Sequence, residues 1–518
     1  MAPTTLISRH SVEYTPTYQR FVLKQKSYAQ QFSHIYVSRL QQLRDVVSVQ
    51  VQEHTAGRIP VLAKVIDLKA DGQECVLIGT LLKVLEAKPD IFDALTSESG
   101  VKPIETIGRP LATKDDELLL EDESGRVQLV GNIDVARFVT GVVLGVRGRV
   151  ARDGPDGHFL VEEVYLPSFP PQHPLPERQE SEYVALVSGL NIGRNKDRQP
   201  IRNHVLMDYL AGRLGDENER EFVSKIVRTV VVGNVIQATG SDEVQVPTIK
   251  RKTAEQLALE GEPLRNADEL VSTLAAAMCV DLMPGASDPS NYTLPQQSFH
   301  PCLFPRSSHF QSFRCVTNPY EAQVGGVQLF GDSGQPLHSM LQCTLPKRDD
   351  NDEKMATEEQ EQERALDYLE RCVEWRHAAP TAPDILACFP MANEDPFILE
   401  TCPHVYFSGN QPRFSTRLVK GGKDQQVRLI TVPSFSETST ILLGHIKDAE
   451  HLPSGKFKDD DVGVVVAKFG SKQNIVFHCG PEDLRATFHR ACTGGWCQAA
   501  CLCACPGFND FAEKYAIS

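Results

Sequence analysis

The spacing of apolar residues changes along the chain, and the changes mark its parts. Between residues 17 and 46, Tyr28, Phe32, Ile35, Tyr36, Leu40 and Leu43 return at helical spacing. This predicts an amphipathic helix whose apolar face packs on the body of the protein. From 51 to 180 the pattern is that of short strands. Cys75–Ile78 runs into Gly79–Leu82, followed by Glu117–Leu120, Val127–Val130, Val142–Val146 and Phe159–Val161. Turn sequences separate them, Asp-Glu-Ser-Gly at 122–125 and Asp-Gly-Pro-Asp-Gly at 153–157. About five short strands in this length suit a small closed barrel of the OB type. Such barrels often bind single strands through aromatic and basic faces. This stretch is poor in aromatics, which favours a structural or protein-binding role.

A proline-rich stretch, Pro167 to Pro176, precedes a third pattern. Val184–Val187, Thr229–Val232 and Val280–Met283 are apolar runs, each ending in a glycine-containing turn, with helical stretches such as 202–213 and 267–278 between them. Apolar strands alternating with helices predict βαβ units around a buried sheet. The later runs Val327–Phe330, Val405–Phe407, Val427–Val432 and Thr440–Leu443 are richer in strand and would complete a two-sheet sandwich. The charged run 347–364 is expected to be a solvated loop leading into the helix that carries Tyr368, Leu369 and Val373.

Composition narrows the function. The 518 residues carry a formal net charge of −15. A chain this acidic repels phosphate backbones on average, so proteins rather than DNA alone are the expected partners. No run of about 18 apolar residues occurs, and the N-terminus lacks a charged start and apolar centre. The expectation is an intracellular protein that does not meet a membrane. Of 14 cysteines, eight are scattered between Cys75 and Cys402, as reduced buried thiols would be. The other six lie between Cys479 and Cys505. Their Cys-x-Cys-x-Cys alternation does not suit one tetrahedral zinc.

Chemistry in an open α/β sheet gathers at the C-terminal ends of strands. Here the turns are Ser188-Gly189-Leu190-Asn191, Gly233-Asn234-Val235-Ile236-Gln237, Gly285-Ala286-Ser287-Asp288 and Gly409-Asn410-Gln411-Pro412. This layout resembles the calcineurin-like phosphoesterases, whose Asp-x-His, Gly-Asp-x-x-Asp, Gly-Asn-His-Asp/Glu and Gly-His-x-His motifs hold two metals. Laid on those motifs, the first Asp falls on Gly189 and its His on Asn191. The second pair of acids falls on Asn234 and Gln237. The third motif's Asn falls on Ala286 and its His on Ser287, and its acid survives as Asp288. The two histidines of the last fall on Asn410 and Pro412. Glycine, alanine and proline side chains have no donor atom, and neutral amides are weak ligands beside carboxylate and imidazole. One aspartate cannot balance two dications. The resemblance therefore implies an inactive site with no catalytic residue, metal or cofactor. His300 and His404 each adjoin a proline and are expected to be hydrogen-bonded structural histidines.

Longer strings narrow the family. DLMPGASDPSNYTLPQQSFHPCLFP from residue 281, VTNPYEAQVGGVQLFGDSGQ, PTAPDILACFP, DPFILETCPHVYFSGNQPRF and QVRLITVPSFSETST closely resemble the small, B-type subunits of DNA polymerase delta. The resemblance covers roughly residues 15–450. It implies a helical arm at 1–50, an OB-fold domain at 51–180 and an inactive phosphoesterase-like αββα sandwich at 181–450; the cysteine-rich tail at 451–518 departs from the resemblance and is expected to be a disordered or atypical extension. It further implies a nuclear, non-catalytic scaffold for DNA replication and repair. That scaffold would bridge the cysteine-rich C-terminal domain of the catalytic subunit and a third subunit, and would meet DNA only through the complex. The competing readings are an active metal-dependent phosphoesterase or nuclease, and an independent single-strand-binding OB protein.

Overall fold

The computed structural model describes residues 7–24, 27–69, 71–88, 110–151, 157–175, 182–193, 199–237, 261–345, 358–391, 393–446, 464–469 and 475–479. No described helix is long and apolar enough to cross a membrane.

Five strands, β2 (Cys75–Val84), β3 (Glu117–Glu121), β4 (Arg126–Gly131), β5 (Val143–Val150) and β6 (His158–Tyr165), close into a barrel in the order β2-β3-β4-β6-β5. Residues in β3 and β4 alternate between buried and less buried, as strands with one face on a core must. Helix α1 (Ser33–Thr55) lies across the barrel. Its Leu40, Leu43, Val47 and Val51 pack on Val76, Ile78, Val143 and Tyr165. Gly145 permits this approach, because a Cβ there would stand 3.1 Å from Val47.

The remainder is two sheets face to face. One has the order β10-β9-β8-β7-β16-β17-β18, and the other β1-β11-β12-β13-β15-β14. In the first, β7 (Glu182–Val187), β8 (Ile226–Val232), β9 (Cys279–Met283) and β10 (Phe313–Cys315) run parallel, and β16 (Thr440–Ile446) is antiparallel to β7. In the second, β12 (Val327–Asp332), β13 (Val405–Gln411) and β15 (Gln426–Pro433) run parallel. The edges are β14 (Ser415–Lys420) on one side and β11 (Tyr320–Val324) with β1 (Tyr14–Pro16) on the other. Residues of β7, β8 and β12 are buried throughout, which is why they read as unbroken apolar runs rather than alternating ones.

Val184, Leu186, Val230, Val232, Phe407, Ile430 and Val432 fill the space between the sheets. Helices α2 (Gln199–Leu210), α3 (Glu217–Ser224) and α4 (Glu262–Ala275) accompany the first sheet, with Leu206, Leu210, Val271 and Leu274 in its outer core. Against the second sheet lie α5 (Gln335–Gln342) and α6 (Glu358–Glu374). Their core is continuous with that of the barrel, so Phe159, Leu118, Trp375, Tyr406 and Leu429 belong to one cluster. Barrel and sandwich are thus welded by shared apolar burial rather than hinged.

The structure differs from the sequence reading at both ends. The described residues of 17–32 hold no α-helix. β1 pairs antiparallel with the edge strand β11, a short 3-10 turn follows at Tyr18–Phe21, and the helix begins only at Ser33. Edge pairing and the burial of Phe21 against Phe330 outweigh local periodicity here. Tyr28 and Phe32 therefore stay largely exposed, although Ile35, Leu40 and Leu43 are buried as expected. Nor does the fold stop near residue 450. β17 (Val464–Phe469) pairs with β16, and β18 (Ile475–Cys479) pairs with β17, both antiparallel, so the first sheet continues past that boundary. The cysteines from 492 to 505 lie outside the described residues.

The N-terminal segment is a strap across both sheets. Arg9 donates from Nη1 to the carbonyls of Val223 (2.8 Å) and Ile226 (2.7 Å), and from Nη2 to that of Leu210 (2.7 Å). It thereby ties the last turns of α2 and α3, through the carbonyls of Leu210 and Val223, to the start of β8 at Ile226. Further on, the Arg20 Nε donates to the Glu321 carboxylate at 2.6 Å. Arg9→Ala is expected to cost about 2 kcal/mol, the scale of a lost charge-assisted hydrogen-bond set. A urea midpoint unchanged by that substitution would mean the strap is not tied there.

Candidate functional site

The turns singled out from the sequence do converge at one end of the two sheets. The backbone is left-handed in the first two turns and at the bulge near the end of β13: φ is 62° at Gly189, 45° at Asn191, 70° at Gly233, 52° at Asn234 and 54° at Asn410. Glycine and asparagine tolerate this region best. The turns are stitched together by their amides. Gly189 N donates to Gly233 O (3.0 Å), Asn191 N to Asn234 O (3.0 Å), and Gln237 N to Ile192 O (3.0 Å).

Side chains then close the space. Asn410 donates from Nδ2 to the carbonyls of Ser333 (2.9 Å) and Val232 (3.2 Å), and its backbone N donates to Ser188 Oγ (3.1 Å). The Asn191 Nδ2 donates to Ser436 Oγ at 2.8 Å. Asn234 Oδ1 accepts from Ser287 N (3.2 Å), and Ser287 Oγ donates to Ile236 O (2.8 Å). A Cβ built on Gly189 would fall 2.3 Å from Ser434 Oγ and 2.8 Å from Asn410 Oδ1. The volume into which a carboxylate at 189 would reach is occupied. Ala286 and Pro412 are exposed at the rim and carry no polar side-chain atom.

Asp288 is buried. Its Oδ1 accepts from Ile236 N and its Oδ2 from Gly285 N, both at 2.8 Å, so it clamps the turn after β8 to the turn after β9. Burial pushes its pKa up to about 6 in spite of those amides. His404 Nδ1 accepts from Gln328 N (2.9 Å), and its Nε2 lies 2.9 Å from His173 O, to which it donates. Both ring nitrogens are therefore engaged by backbone. Burial lowers the pKa further, so the ring is neutral. It precedes β13, about 20 Å of strand away from Asn410. His300 caps the short turn Pro301–Leu303 through Nδ1, which accepts from Cys302 N at 3.2 Å. Among the described residues, no three His, Cys, Asp or Glu side chains converge as a ligand set.

Sequence reasoning passed over Asp332, Ser333 and the pair Ser434 and Ser436, which complete this end of the sheets. Asp332, the last residue of β12, is buried. Its Oδ1 accepts from Ser408 Oγ (2.7 Å) and Gly334 N (2.8 Å), while its Oδ2 has no protein partner. Burial pushes its pKa up to about 6. The Gly-Asp-Ser-Gly turn after an apolar run was the available signal.

A carboxyl whose folded pKa lies above its unfolded value adds stability below the unfolded value and loses it as pH rises through the folded one. Wild-type protein should therefore lose a stabilising contribution between pH 4 and about 6 on account of Asp332. Asp332→Asn keeps an acceptor for Ser408 and Gly334 and cannot titrate. Urea midpoints of the two proteins across pH 4 to 7 should diverge toward acid, with the wild type gaining relative to the variant; parallel curves would show that Asp332 does not titrate in this range.

Comparison with known proteins follows the same division of the chain. Residues 31–164 match the family of the OB-fold domain of DNA polymerase delta subunits, and residues 184–416 match the family of B subunits of DNA polymerases alpha and epsilon. The DNA polymerase delta small subunit of Oryza sativa subsp. japonica is 36% identical over 445 residues, 86% of this chain and 97% of the relative. The protein of that name in Arabidopsis thaliana is 37% identical over 445 residues, 85% of this chain and 95% of the relative. That of Saccharomyces cerevisiae is 33% identical over 462 residues, 82% and 89%.

Proposed function

We propose a scaffolding, non-catalytic role, proceeding from the fact that the chain belongs to the family of DNA polymerase delta small subunits. It is a regulatory subunit of a replicative DNA polymerase and assembles with other subunits of that enzyme, the catalytic one included. Our reading goes further. The two-sheet body is a calcineurin-like phosphoesterase fold whose metal site has been closed, and the barrel, body and strap form one rigid platform. That platform bridges the cysteine-rich C-terminal domain of the catalytic subunit and a third subunit in the nucleus, and it contacts DNA only through the complex. The arm, barrel and body divide near residues 50 and 180, with the body extending through β18.

The observation that carries this reading is the filled site. The positions that would ligate metal, Gly189, Asn191, Asn234, Gln237, Ala286, Ser287, Asn410 and Pro412, supply no carboxylate or imidazole. Asp288 spends both oxygens on backbone amides. A dinuclear centre needs several anionic ligands and open coordination positions. Neither is on offer without unfolding the turns. What remains is a rigid surface, and function can be grafted on such a surface.

The test joins two assays on purified full-length chain. Manganese-supplemented protein is expected to release no product from bis(p-nitrophenyl) phosphate, or from the 3′ ends of single-stranded DNA, above the level of Asp288→Asn. Co-expressed with the polymerase delta catalytic subunit, it is expected to elute as a stoichiometric complex. Metal-dependent turnover that vanishes in Asp288→Asn would restore the enzyme reading. Failure to co-elute would remove the scaffold.

A further inference from the structure

Between α1 and the barrel runs an open groove of about 710 Å³. One wall is a stripe on the first turns of α1, where Ser33, Tyr36, Val37, Leu40 and Arg44 recur at helical spacing. The other is Thr80, Leu81 and Leu82 of β2, with the turn Glu121–Glu123 and Asp384 at the rim. Its apolar lining is incompletely used: Val37 keeps 45% of its surface exposed and Leu82 is only partly buried, whereas Tyr36 already packs against the cluster of Ile35, Ala382 and Phe397. Leu40, Leu43 and Val47 already anchor α1 to the barrel from their own face. Val37 thus has no part in holding the helix down, and an exposed apolar stripe beside a cleft is a mark of a docking surface.

The lining is also biased in charge. Of the four carboxylates in the lining, Asp384 is paired with Lys88 at 2.7 Å and Asp122 is held by the amides of Val65, Ser124 and Gly125. Glu121 and Glu123 stand near Arg126, Arg44 and Lys64 without a hydrogen bond to them, and Arg44 itself donates to Ala63 O at 2.7 Å. Glu121 and Glu123 are loosely held. Their nearest cations stand 3.6 Å away (Arg126 and Arg44), beyond hydrogen-bond distance, and their side chains are 39% and 49% exposed. Both are free to turn toward an incoming cation.

The backbone decides the shape of the occupant. β2 is paired on both sides over this stretch, Thr80 with Glu121 and Val143, and Leu81 with Leu120. A closed barrel leaves no strand edge here, so an added strand would find no partner for its amides. A helix satisfies its own backbone and needs only ridges to pack against, which the α1 stripe supplies. Ser33 to Arg44 spans roughly 16 Å at 1.5 Å per residue, room for about three helical turns.

We propose that this groove docks an amphipathic helix of a partner polypeptide, with apolar anchors toward Val37 and Leu82 and basic residues toward Glu121 and Glu123. The proposal deepens the scaffold reading and rests on it.

The test uses the full-length chain reconstituted with its polymerase delta partner subunits. Val37→Arg places a cation among the incoming ones and removes an anchor, and the complex is expected to weaken at least tenfold. The double variant Glu121→Lys with Glu123→Lys should weaken it too and flatten its dependence on salt. Ile201→Arg, at an exposed position on α2, should leave affinity unchanged, and all three proteins should melt like the wild type. A photo-crosslinking amino acid at position 37 should capture a basic, helical segment of one partner. Undiminished affinity in Val37→Arg, or crosslinks that land within this chain or in an acidic or extended segment, would overturn the groove proposal while the wild-type complex still upholds the scaffold. A wild-type chain that binds no partner subunit removes the scaffold, and the groove proposal falls with it.

Discussion

Arg39→Ala is expected to be the most damaging single change in the barrel region, at about 3 to 5 kcal/mol, the scale of breaking a buried ion pair by removing one partner. Arg39 is wholly buried on α1. Its Nε donates to Asp395 Oδ2 at 2.6 Å, its Nη1 to the carbonyls of Gly141 and Pro380 at 3.0 Å each, and its Nη2 to that of Ala382 at 2.8 Å. One guanidinium therefore gathers the helix, a barrel turn and the segment 380–395. Burial alone would raise the Asp395 carboxyl, but Arg39 and His377 outweigh it and hold the group well below the usual carboxylate range. His377, whose Nε2 lies 2.8 Å from Asp395 Oδ2, is pushed down to about 4 by burial and the Arg39 charge.

Alanine at 39 leaves a buried carboxylate with no cation partner, only His377 and the Phe397 N–H (3.0 Å), and removes the donor from three carbonyls. Arg39→Lys keeps the charge but not the planar fork, and should lie between. The pH dependence has a definite sign. Both groups bind protons less readily in the folded state than in the unfolded one, so their contribution is lost as pH falls. His377 acts as the unfolded chain titrates near its ordinary value of 6.5, and Asp395 below that of 3.8. In Arg39→Ala the acid-side slope contributed by Asp395 should shrink. Urea unfolding of the two variants and wild type over pH 2 to 8 checks both magnitude and slope; a midpoint shift under about 1 kcal/mol in Arg39→Ala would show that the cluster is dispensable.

The second large effect is expected between the sheets. Asp281 on β9 is wholly buried. Its Oδ1 accepts from Arg228 Nη1 of β8 at 2.7 Å and its Oδ2 from the Tyr320 hydroxyl of β11 at 2.8 Å. The Arg228 guanidinium also lies 3.6 Å over the Tyr14 ring of the strap. Asp281→Ala strands a buried cation and should cost about 3 to 5 kcal/mol. It should also loosen β1, whose Tyr14 packs on that cation. Amide exchange at Tyr14 and Thr15 and at Tyr320–Val324 is expected to accelerate before the rest of the sheet does. Replacing both partners with apolar residues, Arg228→Met with Asp281→Leu, should recover most of the loss, because no charge is then left unpaired. If the double variant is no more stable than Asp281→Ala, the loss lies in packing and not in the orphaned charge.

Local pattern alone determined much of this protein. The five barrel strands, the parallel runs at 184–187, 229–232, 280–283, 405–407 and 427–432, and their glycine-bearing turns are all legible in the sequence. Burial on one face of a strand prints a period of two, and burial on both faces prints an apolar run. The positions of Gly189, Asn191, Asn234, Gln237, Ala286, Ser287, Asp288, Asn410 and Pro412 followed from those turns. Tertiary structure decided the rest, and in each case through a partner far away in the chain. Residues 14–16 are a strand because the edge of β11 lies free, and Tyr28 stays exposed although it sits in register with Leu40 and Leu43. The segments 464–469 and 475–479 join the sheet because β16 offers an edge. The Gly-Asp-Ser-Gly turn marks Asp332 as a strand-end residue, but its burial and its place at the site depend on Ser408, Gly334 and the helices beneath the second sheet. Arg39 reads as a polar interruption of a helix until residues 141, 380, 382 and 395 surround it. Period reports how much of a side chain is buried against its own layer; it carries no record of which distant strand edge, carbonyl or carboxylate will be there to meet it.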